Sequence, residues 1–389
     1  MSPAPLVAVV LGRPDATAAI ESAWDAGEAI AVLDPDAPAA VLDATLARLR
    51  PTHLLDRDGR RPWPAGTPVA DDVRAVVLTS GTTGGPKAVE LTEAGLTAVG
   101  HGCNAALGVD GADCWLVCLP LHHVAGLAIL ARARAGGQRV VVHEGFDLPA
   151  VAGSPKKEGT TLVSLVPTTL GRLLDAGAPL HEYRRIVVGG APLPETLRVR
   201  AATAGAPVVD AYGLSETGGG FVLDGQPIPG VDVRLGPDDE IRVRGPVVMR
   251  GYRLDPDATR AAFDDDGWFR TGDIGARGVT GGWRVVDRQR DFVITGGVNV
   301  SPSTVERVLG EHPGVTDVCV AGVPDEEWGE RVVAYVVAAG TPPPSLEDLR
   351  AFARTRLRGP ELPRQVVIVE EILRSPGGKA VRRRLPPPD

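Results

Sequence analysis

The stretch Val77-Leu-Thr-Ser-Gly-Thr-Thr-Gly-Gly-Pro-Lys87 decides how the rest of the chain is read. An apolar strand runs into a loop of Ser, Thr and Gly and ends on a lysine. Gly81, Gly84 and Gly85 let the backbone fold tightly and turn its N–H groups toward an anion. The hydroxyls of Thr79, Ser80, Thr82 and Thr83 add donors, and Lys87 adds charge, so the segment predicts an oxyanion cradle. A Walker A loop would place Gly before the lysine and a hydroxyl residue after it. Pro86 and Ala88 stand there instead, which excludes a P-loop kinase or ATPase. The remaining alternative for the segment alone is a flexible polar loop.

Residue usage supports a chemical task for Lys87. Of 41 basic residues, 37 are Arg and only four are Lys: Lys87, Lys156, Lys157 and Lys379. A compact ammonium fits between oxyanions where a planar guanidinium does not. Lys87 and Lys379 lie in Gly-rich stretches. Lys156 and Lys157, beside Glu158 and Gly159, read as a solvated surface turn.

Composition sets the outer limits. With 389 residues, two or three domains are expected. The net charge of −8 disfavours a nucleic-acid binder, and no apolar run is long enough to span a bilayer. Leu6–Leu11 has no basic residue before it and does not read as a signal peptide, so a cytoplasmic protein is expected. Cys103, Cys114, Cys118 and Cys319 lack the companions of a zinc site and are expected to be buried free thiols.

Short Val/Ile/Leu runs at Val7–Leu11, Ala29–Leu33, Ala75–Leu78, Thr161–Val166, Arg185–Val188 and Pro207–Ala211 alternate with helical patterns such as Ala39–Arg50. Buried strands at such spacing predict an α/β fold with mainly parallel sheets flanked by helices. Between Gly230 and Tyr252 true alternation appears, which predicts an antiparallel β subdomain. Beyond Asp291 come a helix (Ser303–Leu309), strands (Val315–Ala321, Arg331–Val337), a helix (Leu346–Leu357) and a strand (Gln365–Val369). That is a small α+β unit.

A second motif, Asp210-Ala-Tyr-Gly-Leu-Ser-Glu-Thr-Gly218, ends a strand in a Tyr-Gly turn followed by a hydroxyl and an acid. Alone it would read as a helix cap. Beside an oxyanion loop it supplies the carboxylate that a magnesium ion on a polyphosphate needs.

Together these motifs resemble the adenylate-forming superfamily of acyl-CoA synthetases, luciferases and peptide-synthetase adenylation domains. The resemblance implies ATP, Mg2+ and coenzyme A as reactants and cofactors, with Thr79–Lys87 on the phosphates and Glu216 on the metal. It assigns Asp210, Ala211, Tyr212, Gly213 and Ser215, with Gly190 and Ala191 of Gly189-Gly-Ala-Pro192, to the nucleotide. Trp268-Phe-Arg-Thr-Gly-Asp273 resembles the ribose motif, with Asp273 accepting from the hydroxyls. Asp287-Arg-Gln-Arg-Asp291 resembles the linker, with Arg288 on ribose or phosphate and Arg290 as hinge. Asp287 stands where many members have Gly. Leu373-Arg-Ser-Pro-Gly-Gly-Lys379 resembles the loop whose lysine catalyses adenylation. The implied organisation is an N-terminal domain, 1–289, and a mobile C-terminal domain, 290–389. Rotation about Arg290 would exchange Lys379 for Gly296–Asn299 beside a pantetheine channel.

Leu119-Pro-Leu-His-His-Val-Ala-Gly126 resembles the acyl-pocket motif. It implies a lining or gating role for His122 and His123 and a pocket floor at Gly218 and Gly219. The short stretch before Lys87 and these pocket motifs are similar to the actinobacterial o-succinylbenzoate–CoA ligases of menaquinone biosynthesis. That acid has two carboxylates. Arg132 is the expected anchor for the one not activated, against the alternative of an ordinary surface arginine. Other readings are a ligase for another aryl or short-chain acid, a carrier-protein loading enzyme, and an inactive adenylate-binding protein. A homodimer is compatible with the resemblance, and neither a nucleic acid nor a membrane is expected as a partner.

Overall fold

The computed structural model describes residues 3–79, 87–237, 239–278, 281–288, 292–374 and 380–388. The chain packs into two compact units. One comprises Met1–Arg234 with Arg242–Thr271, and the other Leu235–Ile241 with Gly272–Asp389.

Two seven-stranded sheets build the first unit. One runs Gly251–Tyr252, Ala88–Thr92, Val73–Leu78, Ala29–Val32, Leu6–Val9, His53–Asp56, Gly59–Pro62. The other runs Gln226–Pro227, Gly219–Leu223, Val208–Leu214, Arg185–Gly189, Leu162–Leu165, Cys114–Val117, Arg139–Val142. The inner strands of each are parallel, as their uninterrupted apolar runs predict. Antiparallel strands are added at the edges.

Helix Glu93–Leu107 touches Ala88–Thr92 of one sheet and Gly219–Leu223 of the other, with helix Val124–Gly136 packed beside it. Its ends are set locally. Thr92 Oγ1 accepts from the Gly95 N–H at 3.0 Å, and Gly108 closes the helix in the left-handed region. Gly100 permits the close helix pairing, because a Cβ there would lie 2.5 Å from Ala135 Cβ.

The second unit holds the strands Val298–Val300, Val293–Thr295, Gly329–Ala338 and Val315–Asp325 in one sheet, with Gln365–Ile368 pairing on Gly329–Ala338. Helices Pro302–Leu309 and Leu346–Ala353 cover it over a core of Val305, Val308, Val320, Val332, Ala334 and Leu349. The strands Asp232–Leu235, Glu240–Arg244, Phe269–Arg277 and Trp283–Arg288 form a further four-stranded sheet.

The expected α/β class is observed. Strands Val73–Leu78 and Ala88–Thr92, on either side of the Gly-rich segment, pair antiparallel. Two local expectations are corrected. Gly251–Tyr252, expected within the antiparallel subdomain, instead pairs with Ala88–Thr92 in the first sheet. Its neighbour Arg253 is the cause: the guanidinium is buried and donates to the carbonyls of Leu49, Arg50, Thr67 and Pro68 and to Glu90. Lys156 and Lys157 lie in the last turn of helix Leu148–Glu158 rather than in a turn, and Lys156 pairs with Glu182 at 2.5 Å. All four cysteines are buried and free, as expected.

Candidate functional site

The antiparallel strands Val73–Leu78 and Ala88–Thr92 bring Thr79 and Lys87 side by side. The Thr79 N–H donates to the Lys87 carbonyl at 2.8 Å, which closes the base of the loop. Ser80, Gly81, Thr82, Thr83, Gly84 and Gly85 lie outside the described residues, as do Arg290 and Lys379.

Lys87 leans over an aromatic face: its Nζ is 4.4 Å from the centroid of the Tyr252 ring. The Tyr252 hydroxyl donates to Glu216 Oε1 at 2.9 Å. Two residues far apart in sequence, Lys87 and Glu216, therefore meet on opposite ends of one phenol. Glu216 lies in the turn Ser215–Thr217, and its carbonyl accepts from the Met249 N–H at 2.7 Å. The buried Thr217 hydroxyl knots the turn, bonding Leu214 on one side and Gly219 O at 2.8 Å on the other. Burial, with the Glu216 charge second, raises the pKa of the Tyr252 phenol, which keeps it a donor.

Tyr252 was not among the residues read from the sequence. The dipeptide Gly251-Tyr252 has no local signature, and its importance comes only from the strand pairing.

The other expected nucleotide residues converge at the ends of adjacent strands. Gly189 is the cross-strand partner of Ala211, which brings Gly190 and Ala191 alongside Ala211 and Tyr212. The Tyr212 ring packs on Phe221 at 5.0 Å between centroids. Gly213 is required by close approach: a Cβ there would meet Gly219 O at 2.0 Å. Asp210 also has protein partners of its own. Its carboxylate pairs with Arg198 at 2.8 Å and its backbone N–H bonds Asp224, so it braces the strand end. Burial raises its pKa, partly opposed by Arg198.

On the acyl side, His123 ends the loop before helix Val124–Gly136, and its ring meets that of His122 at 4.4 Å, edge-on. Burial away from water, with the neighbouring His122 second, pushes the His123 pKa down to about 4, so the imidazole is neutral at ordinary pH. Gly218 and Gly219 both have positive φ, and a Cβ on Gly219 would lie 2.9 Å from Ala128 Cβ of that helix.

Arg132, on the same helix, is 4% exposed, which removes the surface-arginine alternative. Its Nη1 donates to Ser164 Oγ at 3.1 Å, and its guanidinium is 5.0 Å from the Trp115 ring centroid. Nε has no partner, and among the described residues no carboxylate pairs with the group. The neighbouring Cys103 thiol donates to Gly220 O at 3.2 Å, which puts the charge near the Gly219–Gly220 floor. Burial lowers the Arg132 pKa.

In the second unit, Asp273 is buried and is the cross-strand partner of Arg288, so the two expected ribose residues are brought together. Asp287 accepts from Ser301 Oγ at 2.7 Å and from the Ser303 N–H at 3.0 Å, at the start of helix Pro302–Leu309. A buried glycine there could not make this cap.

Among the described residues no group of three His, Cys, Asp or Glu side chains could hold a metal. Among the described residues no helix is long and apolar enough to cross a membrane. A magnesium ion on ATP takes one or two carboxylates plus phosphate oxygens and retains water. Glu216 suits that: Oε1 accepts from Tyr252, and Oε2 has no partner among the described residues.

Comparison with known proteins places this geometry. The AMP-binding enzyme family matches residues 3–253, and the AMP-binding enzyme C-terminal domain matches residues 304–379. The chain is 40% identical over 333 residues to the probable 2-succinylbenzoate–CoA ligase of Mycobacterium tuberculosis, covering 82% of this chain and 85% of that protein. It is 35% identical over 339 residues to the 2-succinylbenzoate–CoA ligase of Bacillus licheniformis, covering 81% and 70%. A Bacillus subtilis o-succinylbenzoate CoA synthetase, solved with the acyl-adenylate OSB-AMP, superposes with a TM-score of 0.86 at 27% identity, covering 99% of this chain and 88% of that one. The same enzyme with ATP and magnesium ion gives 0.85 at 27% identity, covering 98% and 89%.

Proposed function

The chain belongs to the AMP-binding enzyme family, and from that premise we propose that it is an ATP-dependent acid–CoA ligase whose acid is 2-succinylbenzoate. The observation that carries the proposal is the meeting of Lys87 and Glu216 at Tyr252, one cation and one carboxylate presented at the end of the Gly-rich segment.

In the first half-reaction a carboxylate oxygen attacks the α-phosphorus of ATP, and pyrophosphate leaves. The Thr79–Lys87 segment holds the phosphates, and Lys87 offsets their charge. Glu216 would hold the magnesium ion of MgATP, which when bound would supply charge neutralisation at the phosphates. Gly190, Ala191, Ala211, Tyr212, Gly213 and Ser215 bound the nucleotide, while Asp273 and Arg288 address the ribose. Lys379 brings the two anionic reactants together. In the second half-reaction the CoA sulfur attacks the acyl carbonyl, AMP leaves, and the thiol proton passes to solvent. Rotation of residues 290–389 about Arg290 separates the halves.

His122, His123, Gly218 and Gly219 shape the acyl pocket. The neutral His123 suits lining or gating rather than acid catalysis. Arg132 anchors the carboxylate that is not activated: a buried guanidinium without a counter-charge is costly unless an anion arrives. The reactants are small molecules in the cytoplasm, and a homodimer is the assembly to test.

Pyrophosphate exchange across a panel of acids, with acyl-CoA read by mass spectrometry, tests the proposal. Exchange is expected with 2-succinylbenzoate, with acyl-CoA appearing only when CoA is added, and with loss of exchange in Lys379→Ala and Glu216→Gln. Preference for another aryl or short-chain acid, or for a carrier protein, would replace the substrate. A wild type no faster than Lys379→Ala would mean an inactive adenylate binder.

A further inference from the structure

A cation and a carboxylate placed around one phenol have a competing arrangement, direct pairing with each other. Among the described residues neither Lys87 nor Glu216 makes an ion pair. The Tyr252 ring lies under the ammonium, and its hydroxyl occupies one carboxylate oxygen. We propose that Tyr252 is a positioning residue for the triphosphate site: its ring keeps Lys87 from collapsing onto Glu216, and its hydroxyl orients Glu216 so that Oε2 faces a magnesium ion on ATP. This rests on the reading above that Lys87 and Glu216 serve ATP.

The backbone makes the arrangement rigid. Tyr252 is the cross-strand partner of Val89, two residues beyond Lys87, and the Arg253 N–H donates to Ala88 O at 2.8 Å. Tyr252 and Lys87 are therefore carried by the same sheet edge. The Tyr252 N–H donates to Thr259 Oγ1 at 2.9 Å, which anchors the other side. Glu216 is tied to the same segment through the Met249 N–H. Three pieces of chain that are remote in sequence thus meet with little freedom to rearrange. An ammonium over a ring face is attracted by the ring quadrupole yet stays available to an incoming oxyanion on its open side. A direct carboxylate partner would have to be displaced first. The hydrogen bond to Glu216 is charge-assisted and directional, which fixes the carboxylate plane before the metal arrives.

Calorimetric titration of the whole protein with ATP, with and without Mg2+, separates the two functions of the ring. Tyr252→Phe keeps the ring and drops the hydroxyl. It is expected to weaken MgATP binding about 10-fold, the effect of one hydrogen bond to a charged group, and to leave metal-free ATP within about 2-fold. Tyr252→Leu removes both and is expected to weaken metal-free ATP about 10-fold as well, because Lys87 is then free to pair with Glu216. In pyrophosphate exchange, the Mg2+ concentration for half-maximal rate rises about 10-fold in Tyr252→Phe, and saturating Mg2+ restores the rate. Thermal unfolding of each variant gives the control. For Tyr252→Phe, a lowered Tm with an unchanged ratio of the two ATP Kd values means a structural ring only and overturns the proposal. So does a Tyr252→Phe protein that binds MgATP as the wild type does. Should Tyr252→Leu not fold, Tyr252→Phe decides alone. A wild type that binds no MgATP would instead overturn the function on which this rests.

Discussion

Replacing Arg132 by Met should make the empty protein slightly more stable and its dicarboxylate substrate much worse. The sign follows from what surrounds the guanidinium. Its compensation is one hydrogen bond to Ser164 at 3.1 Å and the Trp115 ring at 5.0 Å. These amount to roughly 1.5–3 and about 2 kcal/mol. Against them stand several kcal/mol for a desolvated ion and roughly 1–3 kcal/mol for the orphaned Nε. Methionine fills similar volume without either penalty, so we expect about 1 kcal/mol of stabilisation, or a Tm higher by roughly 2–4 °C. The substrate loses a charge-assisted contact of about 2–3 kcal/mol, which raises KM for 2-succinylbenzoate roughly 30- to 150-fold. An analogue with hydrogen in place of the carboxylate that is not activated should be processed by the variant within about 3-fold of wild type, since it never used the charge. Differential scanning calorimetry and steady-state kinetics on both acids test this. A Tm drop with an unchanged KM would show that Arg132 is a framework strut. An equal loss on both acids would show a collapsed pocket. Either result refutes the anchor.

Two further outcomes are expected. The His123 pKa, lowered from 6.5 to about 4, means that the unfolded chain binds more protons between those values. The contribution of His123 to stability is therefore full above pH 6.5 and is lost as pH falls toward 4. His123→Asn should flatten the fall of Tm with acid across that window, and an unchanged Tm–pH curve would show that the ring titrates normally. Arg253→Met should destabilise the protein by more than about 3 kcal/mol, because four carbonyls and Glu90 lose a buried partner at once. Urea unfolding with a midpoint near wild type would contradict the role given to Arg253 in seating Gly251–Tyr252.

Much of this was legible in the residues. Runs such as Ala29–Leu33 and Arg185–Val188 could only be buried strands, and the observed Ala29–Val32 and Arg185–Gly189 follow from that. The motifs carrying Lys87, Glu216, Asp273 and Lys379, in that order, pointed to the family through their resemblance to its signatures. The same reading missed Tyr252 and the Arg198 partner of Asp210. A side chain's task there depends on which strand lies beside it: Arg198 captures the Asp210 carboxylate from the neighbouring helix.

The sequence by itself determined many of the strands and the family, since these rest on local pattern and residue chemistry. Tertiary structure alone decided that Ala88–Thr92 lies antiparallel beside Val73–Leu78 and that Gly251–Tyr252 joins their sheet. It also decided that a phenol stands between Lys87 and Glu216, and that Arg132 is buried with no acid to balance it. The reason is physical. Strand pairing and burial are set by the sum of many remote contacts, and no short stretch of residues carries that sum.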